Sequence, residues 1–401
     1  MIDGRKLKES LKLNIGWFEQ SGVMEPDDGS WGVAERILLT ENNDSLEKAF
    51  TAFPAYTNYG KYAVMEHRRP DCNFETALMF LLAAKALDEK KYYETADNIL
   101  KYLYSRSGSR NTKDAYPEGV WRWSHEQWKP VIYFDDNAWN SAIALIISRM
   151  EPKLEKKYNL KKNGLDVASA MGKAFYIQSD FKAKPDAATW VWAGDLKSPH
   201  WGSLACMAFA YAYRETGEEK YLNAALSYNK YLIENMANFS TSEYAYILIG
   251  SSACAAFMGK KEFTDMAHDA ADRILAKMDM TTGNVPSEWG KEAPTGTYLV
   301  DTIYTQNWVV TGLHMFLAIA KDEKYRNAFE KAMNLLLKIQ DNSSEKYLKG
   351  CWRGMYDMNT KSWGGGNRYE GGADSIYTGW TNAPISIVSA LYTLEKSYMN
   401  L

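Results

Sequence analysis

Cysteine is scarce in this 401-residue chain: the four present, Cys72, Cys206, Cys254 and Cys351, stand far apart with no CxxC pair. That spacing argues against a disulfide framework or a zinc ribbon and predicts four reduced, packed thiols. The five histidines are scattered and no HExxH occurs, so neither a metal nor another cofactor is expected. No apolar run approaches the roughly 18 residues that cross a membrane. Lys and Arg number 47 against 50 Asp and Glu, a net charge of -3 with no long basic block. A nucleic-acid partner is disfavoured, because phosphate binding needs a positive field. The opening stretch "MIDGRKLKES" is polar and has no apolar core of a secretion signal, which points to a cytoplasmic protein. Strand-rich segments and long flexible linkers are missing as well.

What is present is an ordinary globular balance, 46% hydrophobic and 24% charged, which excludes disorder. Length alone suggests two or three domains of about 150 residues. The unusual quantity is the aromatic content of 14%, with 14 Trp and 27 Tyr. Such side chains can simply fill a core, so their positions must decide.

A weak repeat runs along the chain: an apolar helical pattern, a polar turn, then a second helix opening on Lys and an aromatic. The turns read "LDEKKYYETA", "TGEEKYLNAA", "MGKKEFTDMA" and "AKDEKYRNAF". With their flanks they predict five hairpins, at 74–105, 137–175, 203–236, 243–278 and 307–339. In "SLACMAFAYAYRETG" apolar residues continue round the helix, marking a buried inner helix; "KYLNAALSYNKYLIENM" is amphipathic and outer. Two patterns remain unpaired, "GRKLKESLKLNIGWFEQ" and "TNAPISIVSALYTLEKSYM". If the hairpins curve round, these two meet as a sixth pair and close a ring. The expected fold is therefore all-α, an (α/α)6 toroid of six helical hairpins, with 1–401 forming a single catalytic domain.

The links from an outer helix to the next inner helix are long and aromatic. They or the first turn of the following inner helix hold twelve of the 14 Trp, all but Trp17 and Trp31. In an alternating ring these links emerge at one end, which predicts an indole-walled cleft there. Stacked aromatic faces with planar polar groups suit a sugar, so an oligosaccharide is the expected substrate.

Within one link, "VIYFDDNAWN" sets Asp135 and Asp136 side by side where a helical pattern begins. A purely structural account makes Asp135 an N-cap and Asp136 a first-turn acid favoured by the helix dipole. The bracket of Tyr133, Phe134 and Trp139 favours a site instead. Glycoside hydrolysis needs two carboxyl groups in different protonation states, about 5 to 5.5 Å apart for retention and about 6.5 to 9.5 Å for inversion. Neighbours at a helix start reach the shorter distance, and their repulsion raises one pKa.

"YFDDNAWN" resembles the signature of glycoside hydrolase family 76, the α-1,6-mannanases. The resemblance implies an (α/α)6 toroid with Asp135 as nucleophile and Asp136 as general acid/base, acting on an α-linked and specifically α-1,6-mannosidic substrate. It covers about eight residues. This chain has Asn140 where the family pattern would place a second tryptophan, and "WVWAGDLKSPHWG" in place of a glycine-rich tryptophan segment.

Further candidate sugar contacts are Trp123, His125, Glu126 and Trp128 in "WRWSHEQW", Trp192 and Trp201 in the next link, and Gln306, Asn307 and Trp308 in "YTQNW". The glycine-rich "WGGGNRYEGGADSIYTGW" adds Trp363, Arg368, Tyr377 and Trp380. Arg68, Arg69 and Asp71 in "MEHRRPDCN" are expected to form a buried salt bridge. Three other readings stay open. A sugar 2-epimerase would use histidines, His200 and His314 being the candidates. An unsaturated uronyl hydrolase or lyase would present basic residues to a carboxylate, and a non-catalytic sugar-binding protein would tolerate loss of both aspartates.

Overall fold

The computed structural model describes residues 2–41, 46–52, 54–111, 117–125, 131–177, 191–287, 298–365 and 372–401. Among them twelve long helices pair into hairpins: α1 (Gly4–Gln20), α2 (Pro70–Leu87), α3 (Lys90–Ser105), α4 (Phe134–Met150), α5 (Leu160–Ile177), α6 (Pro199–Thr216), α7 (Glu219–Asn235), α8 (Thr241–Met258), α9 (Lys261–Lys277), α10 (Gln306–Phe316), α11 (Glu323–Ile339) and α12 (Ala383–Thr393). The even-numbered helices pack side by side in order, and α12 returns to α2, so the inner ring closes. Each odd-numbered helix lies outside its partner, with α1 against α12 as the sixth pair.

Local sequence explains this division. Inner α8 is buried along nearly its whole length and is capped by Ser240, which accepts from the Glu243 amide while Glu243 returns the bond. Outer α3 buries only the stripe Tyr92, Thr95, Ala96, Ile99, Leu100, Tyr102 and Leu103. Pro70 and Pro199 open α2 and α6, where their missing N–H costs nothing. Close approach of α6 and α8 depends on Gly250, where a Cβ would lie 2.3 Å from the Ser203 carbonyl oxygen.

Contrary to the sequence reading, the links contain strands. Arg36–Leu39 pairs antiparallel with Tyr62–Met65 and Ser375–Tyr377, and Tyr62–Met65 also with Tyr56–Asn58. Val131–Tyr133 runs parallel to Val191–Ala193, and Leu299–Asp301 joins Met355–Asp357 and Ser362–Trp363. Segments of two to four residues show no period of their own, and their partners are remote in sequence. The Val131–Tyr133 and Ser375–Tyr377 strands end immediately before the helical turns that begin at Phe134 and Thr378, so they fix the angle at which those segments enter the ring.

From the other end, the turn Tyr398–Asn400 enters the ring axis. Tyr398 is buried with its ring 6.3 Å from Trp139, and its carbonyl accepts from Tyr211 Oη at 3.0 Å. The thiols of Cys72, Cys206, Cys254 and Cys351 are all buried and unpaired, and burial raises the pKa of each. No helix among the described residues is long and apolar enough to cross a membrane.

Two predictions follow from packing. Tyr398→Ala should cost about 3–5 kcal/mol, read from the denaturant midpoint, since it empties an aromatic volume at the axis. Burial also pushes His314, on inner α10, down to about 4. An unfolded histidine protonates near 6.5, so below that pH the unfolded chain holds one more proton than the folded one. The His314 contribution is therefore present above pH 6.5 and is lost as pH falls towards about 4; His314→Phe should flatten the fall in Tm across that window.

Candidate active site

The start of α4 differs from a conventional capped helix. Tyr133 occupies the N-cap position without a side-chain cap bond, and Phe134 is the first helical residue. Asp135 is therefore not the N-cap. Asn137 secures the entry instead: its Nδ2 donates to the Tyr133 and Trp121 carbonyls, and its Oδ1 accepts from the Trp121 amide at 2.9 Å. Both aspartates are left in the first turn with side chains directed at other elements.

Asp135 Oδ2 lies 2.8 Å from Nε2 of His200, in the first turn of α6. The His200 ring stacks on Trp201 at 5.0 Å and on Tyr246 at 4.7 Å and meets Trp380 edge-on at 5.3 Å. Asp136 turns to α2, where Arg69 Nη2 donates to its Oδ1 at 2.8 Å. The same guanidinium binds both oxygens of Asp71, at 3.2 and 2.7 Å, and Glu35 Oε1 at 3.1 Å. Arg36 adds a 3.5 Å ion pair to Glu35, lies over the Tyr377 ring and donates to its hydroxyl. The expected Arg69–Asp71 bridge is present, and it extends to a predicted catalytic residue.

Five carboxyl groups, Glu35, Asp71, Glu75, Asp135 and Asp136, are thus buried here with two guanidiniums, Arg36 and Arg69, which pair with Glu35, Asp71 and Asp136. They cannot all be ionised. Burial drives Asp136 well above the usual carboxylate range; Arg69 opposes this, while Asp71 and Asp135 reinforce it. Glu75 rises well above its ordinary value through burial and the neighbouring Asp71. For Asp71, burial also outweighs Arg69. Burial would raise Glu35 too, but Arg36 and Arg69 prevail and hold it low. Arg69 is divided among three carboxyls, so its 2.8 Å contact offsets only part of the effect of burial on Asp136.

Trp380 is held in place by the two acids of α2. Its amide donates to Glu75 Oε2 at 2.7 Å and its indole N–H to Asp71 Oδ2 at 2.6 Å. This holds a bulky residue at φ 57°, a positive-φ conformation that costs about 1–3 kcal/mol. Trp308 packs edge-on against Trp380 at 5.4 Å and stacks on Trp139 at 5.5 Å. Trp139 and Asn140 lie one turn beyond Asp135 and Asp136, on the same faces of α4.

Other predicted contacts scatter around this centre. Trp123 lies under the Arg69 guanidinium, and His125 Nδ1 accepts from the Arg68 amide at 3.1 Å, its pKa lowered to about 4 by burial and then by Arg68 and His67. Trp192 stacks on Phe134, bracing the helix start, and Trp201 reaches the site through His200. Asn307 donates to the carbonyls of Ile303 and Trp380, while Tyr133 stays at the helix entry. Gln306 is instead spent on backbone: Val285 N–H donates to its Oε1, and its Nε2 donates to Gly283 O. Trp363 packs against Tyr356 in the three-stranded sheet. Two link tryptophans belong to the core, Trp121 edge-on to Phe74 and Tyr104, and Trp352 donating to Leu336 O. Glu126, Trp128 and Arg368 lie outside the described residues. Sequence reasoning missed Glu35 and Glu75; only the Asp71-to-Glu75 spacing of four on an inner helix hinted at the latter. No group of three or more metal-ligating side chains is arranged to hold an ion among the described residues.

No family model and no curated protein matches the chain. Solved structures do match. The unsaturated glucuronyl hydrolase of Streptococcus agalactiae aligns with a TM-score of 0.63 at 13% identity, covering 100% of this chain and 94% of its own. Cellobiose 2-epimerase from Bacillus thermoamylovorans gives 0.56 at 12%, covering 80% and 87%. The family 76 α-mannanase of Bacteroides thetaiotaomicron gives 0.53 at 10%, covering 88% and 97%. At these identities the likeness is one of fold: the chain is an (α/α)6 toroid, an architecture shared here by hydrolases and an epimerase of carbohydrates.

The clamp on Trp380 can be tested without a substrate. A Cβ on Gly379 would lie 2.5 Å from Glu75 Oε2 and 2.6 Å from the Cys72 Cα. Gly379→Ala should therefore displace Trp380 and cost about 1–3 kcal/mol, visible as a lower denaturant midpoint and an altered near-ultraviolet circular dichroism spectrum.

Proposed function

We propose that the protein is a glycoside hydrolase in which Asp136 is the general acid/base and Asp135 the nucleophile. The observation that carries this is the unequal treatment of two adjacent carboxyls. Asp136 is buried and shares Arg69 with two other carboxyls, and burial holds its pKa well above the usual carboxylate range. Asp135 instead faces His200, its Oδ2 2.8 Å from Nε2, while Asp135 Oδ1 and Asp136 Oδ2 are each buried without a hydrogen-bond partner among the described residues. An acid with a raised pKa next to a carboxyl that faces a histidine is a division of labour suited to glycoside cleavage.

The steps follow from those assignments. Asp136 protonates the departing glycosidic oxygen as Asp135 Oδ1 attacks the anomeric carbon, forming a glycosyl-enzyme ester. Water then attacks the ester, Asp136 accepts its proton, and the sugar leaves with retained configuration. Adjacency of the aspartates supports retention, the mechanism that uses the closer of the two carboxyl spacings. His200 steadies the Asp135 carboxylate as it gains and loses its bond. An α-linked, mannosidic substrate is supported by the "YFDDNAWN" resemblance, and a single toroidal catalytic domain by the closed ring.

A second reading, sugar isomerisation or epimerisation, is favoured by His200, because a solved cellobiose 2-epimerase shares the fold. His314 gives it no support: it packs on Phe329 between inner and outer helices.

The test is an aryl-glycoside screen followed by single substitutions. Asp136→Asn should lower kcat/KM by about 10²- to 10⁴-fold, less on substrates with acidic leaving groups. Asp135→Asn should abolish turnover on all of them. Proton NMR of the first-formed product should show retention. Inversion, or near wild-type rates in both folded variants, would overturn the mechanism; aldose–ketose interconversion lost in His200→Asn would establish the isomerase reading instead.

A further inference from the structure

One turn below the aspartates the ring holds polar groups that packing does not explain. Asn140, on the same face of α4 as Asp136, is 1% exposed, and neither its Oδ1 nor its Nδ2 has a hydrogen-bond partner. The indole N–H groups of Trp139 and Trp308 are likewise buried without an acceptor, as is Asn307 Oδ1 without a donor. The two indoles stack at 5.5 Å, with Asn140 next in sequence to Trp139 and Asn307 next to Trp308, so the orphans fall on neighbouring residues of α4 and α10, one turn beyond the aspartates on α4. Nearly all buried polar groups in proteins are paired, so a cluster of orphans needs a ligand or solvent to complete it. Leaving a buried amide unmatched costs about 1–3 kcal/mol.

The chemistry of the patch selects the ligand. It offers both donors and acceptors, and none of its members carries a charge. A hydroxyl can give and receive, so vicinal hydroxyls satisfy an amide that presents both. An anionic group would find the guanidiniums of the cluster already engaged: Arg69 is bound by Glu35, Asp71 and Asp136, and Arg36 by Glu35 and Tyr377. It would also face the carboxyl cluster.

We propose that Asn140, with the indole N–H groups of Trp139 and Trp308, is the hydroxyl-reading floor of a subsite for an uncharged hexose ring. This names the substrate class of the site and rests on its being a sugar site, but not on hydrolysis. The floor is closed below by Tyr398, whose ring packs against Trp139. Asn140 is a specificity residue: a tryptophan or leucine there would fill the space without reading hydroxyls.

Equilibrium binding separates this claim from catalysis. The full chain is titrated with D-mannose, D-glucose and D-galactose and with the corresponding uronates, following tryptophan fluorescence, which Trp139 and Trp308 report directly. At least one hexose should bind, and its uronate should bind roughly 10-fold more weakly or not at all. Asn140→Leu should weaken the hexose roughly 10-fold, the scale of one or two lost hydrogen bonds. Its Tm should stay level or rise, because an unpaired buried amide is removed; a structural role would lower it. Asn140→Ser, smaller and polar, gives the same reading if Leu does not fold. Wild-type affinity in both variants would mean that the amide holds only water. That result, a preferred uronate, or no hexose binding would overturn the proposal, whereas a hexose that binds in a protein without hydrolytic activity would overturn only the catalytic reading.

Discussion

Arg69 is the interaction on which the site depends. One guanidinium, buried at the entry to α2, binds Glu35, Asp71 and Asp136. Desolvating so many carboxyls is tolerable only if some are neutral and the rest are paired, and removing the shared partner of such a group costs about 3–5 kcal/mol. The guanidinium therefore does two things together. It makes burial of the cluster possible, and, divided among three carboxyls, it does not cancel the upward shift of Asp136.

The toroid makes this concentration of charge physically reasonable. Inner helices α2, α4 and α6 begin at the same end, each contributing roughly half a positive charge from unpaired backbone N–H groups. Asp71, Asp135, Asp136 and His200 all lie in those first turns. Short strands in the links brace the entries, and the paired acids Asp71 and Glu75 anchor Trp380 from the last link. Aromatic faces and carboxyls are thus placed by elements that are themselves rigid, which is how a site keeps its geometry before substrate arrives.

The closed end matters as much. Tyr398 and the Trp139–Trp308 stack close the axis with aromatic rings beyond the first turn that carries Asp135 and Asp136. A low-dielectric floor strengthens every electrostatic effect above it, including the elevated pKa of Asp136.

By itself, the sequence determined the helical hairpins, their inner or outer character, the closure of the ring by the terminal helices, and the adjacency of Asp135 and Asp136. These are properties of short-range periodicity and of neighbours, which a chain displays locally. Only the tertiary structure decided which partners the aspartates meet, because Arg69 is 67 residues from Asp136 and Glu35 is 34 from Arg69. It also sorted the tryptophans, sending Trp121 and Trp352 to the core and Trp139, Trp308 and Trp380 to the axis, since a loop aromatic looks the same in sequence whichever way it turns. The raised pKa of Asp136 belongs with these. It arises from burial and from Arg69, Asp71 and Asp135, which pull in opposite directions, and no local pattern encodes their sum.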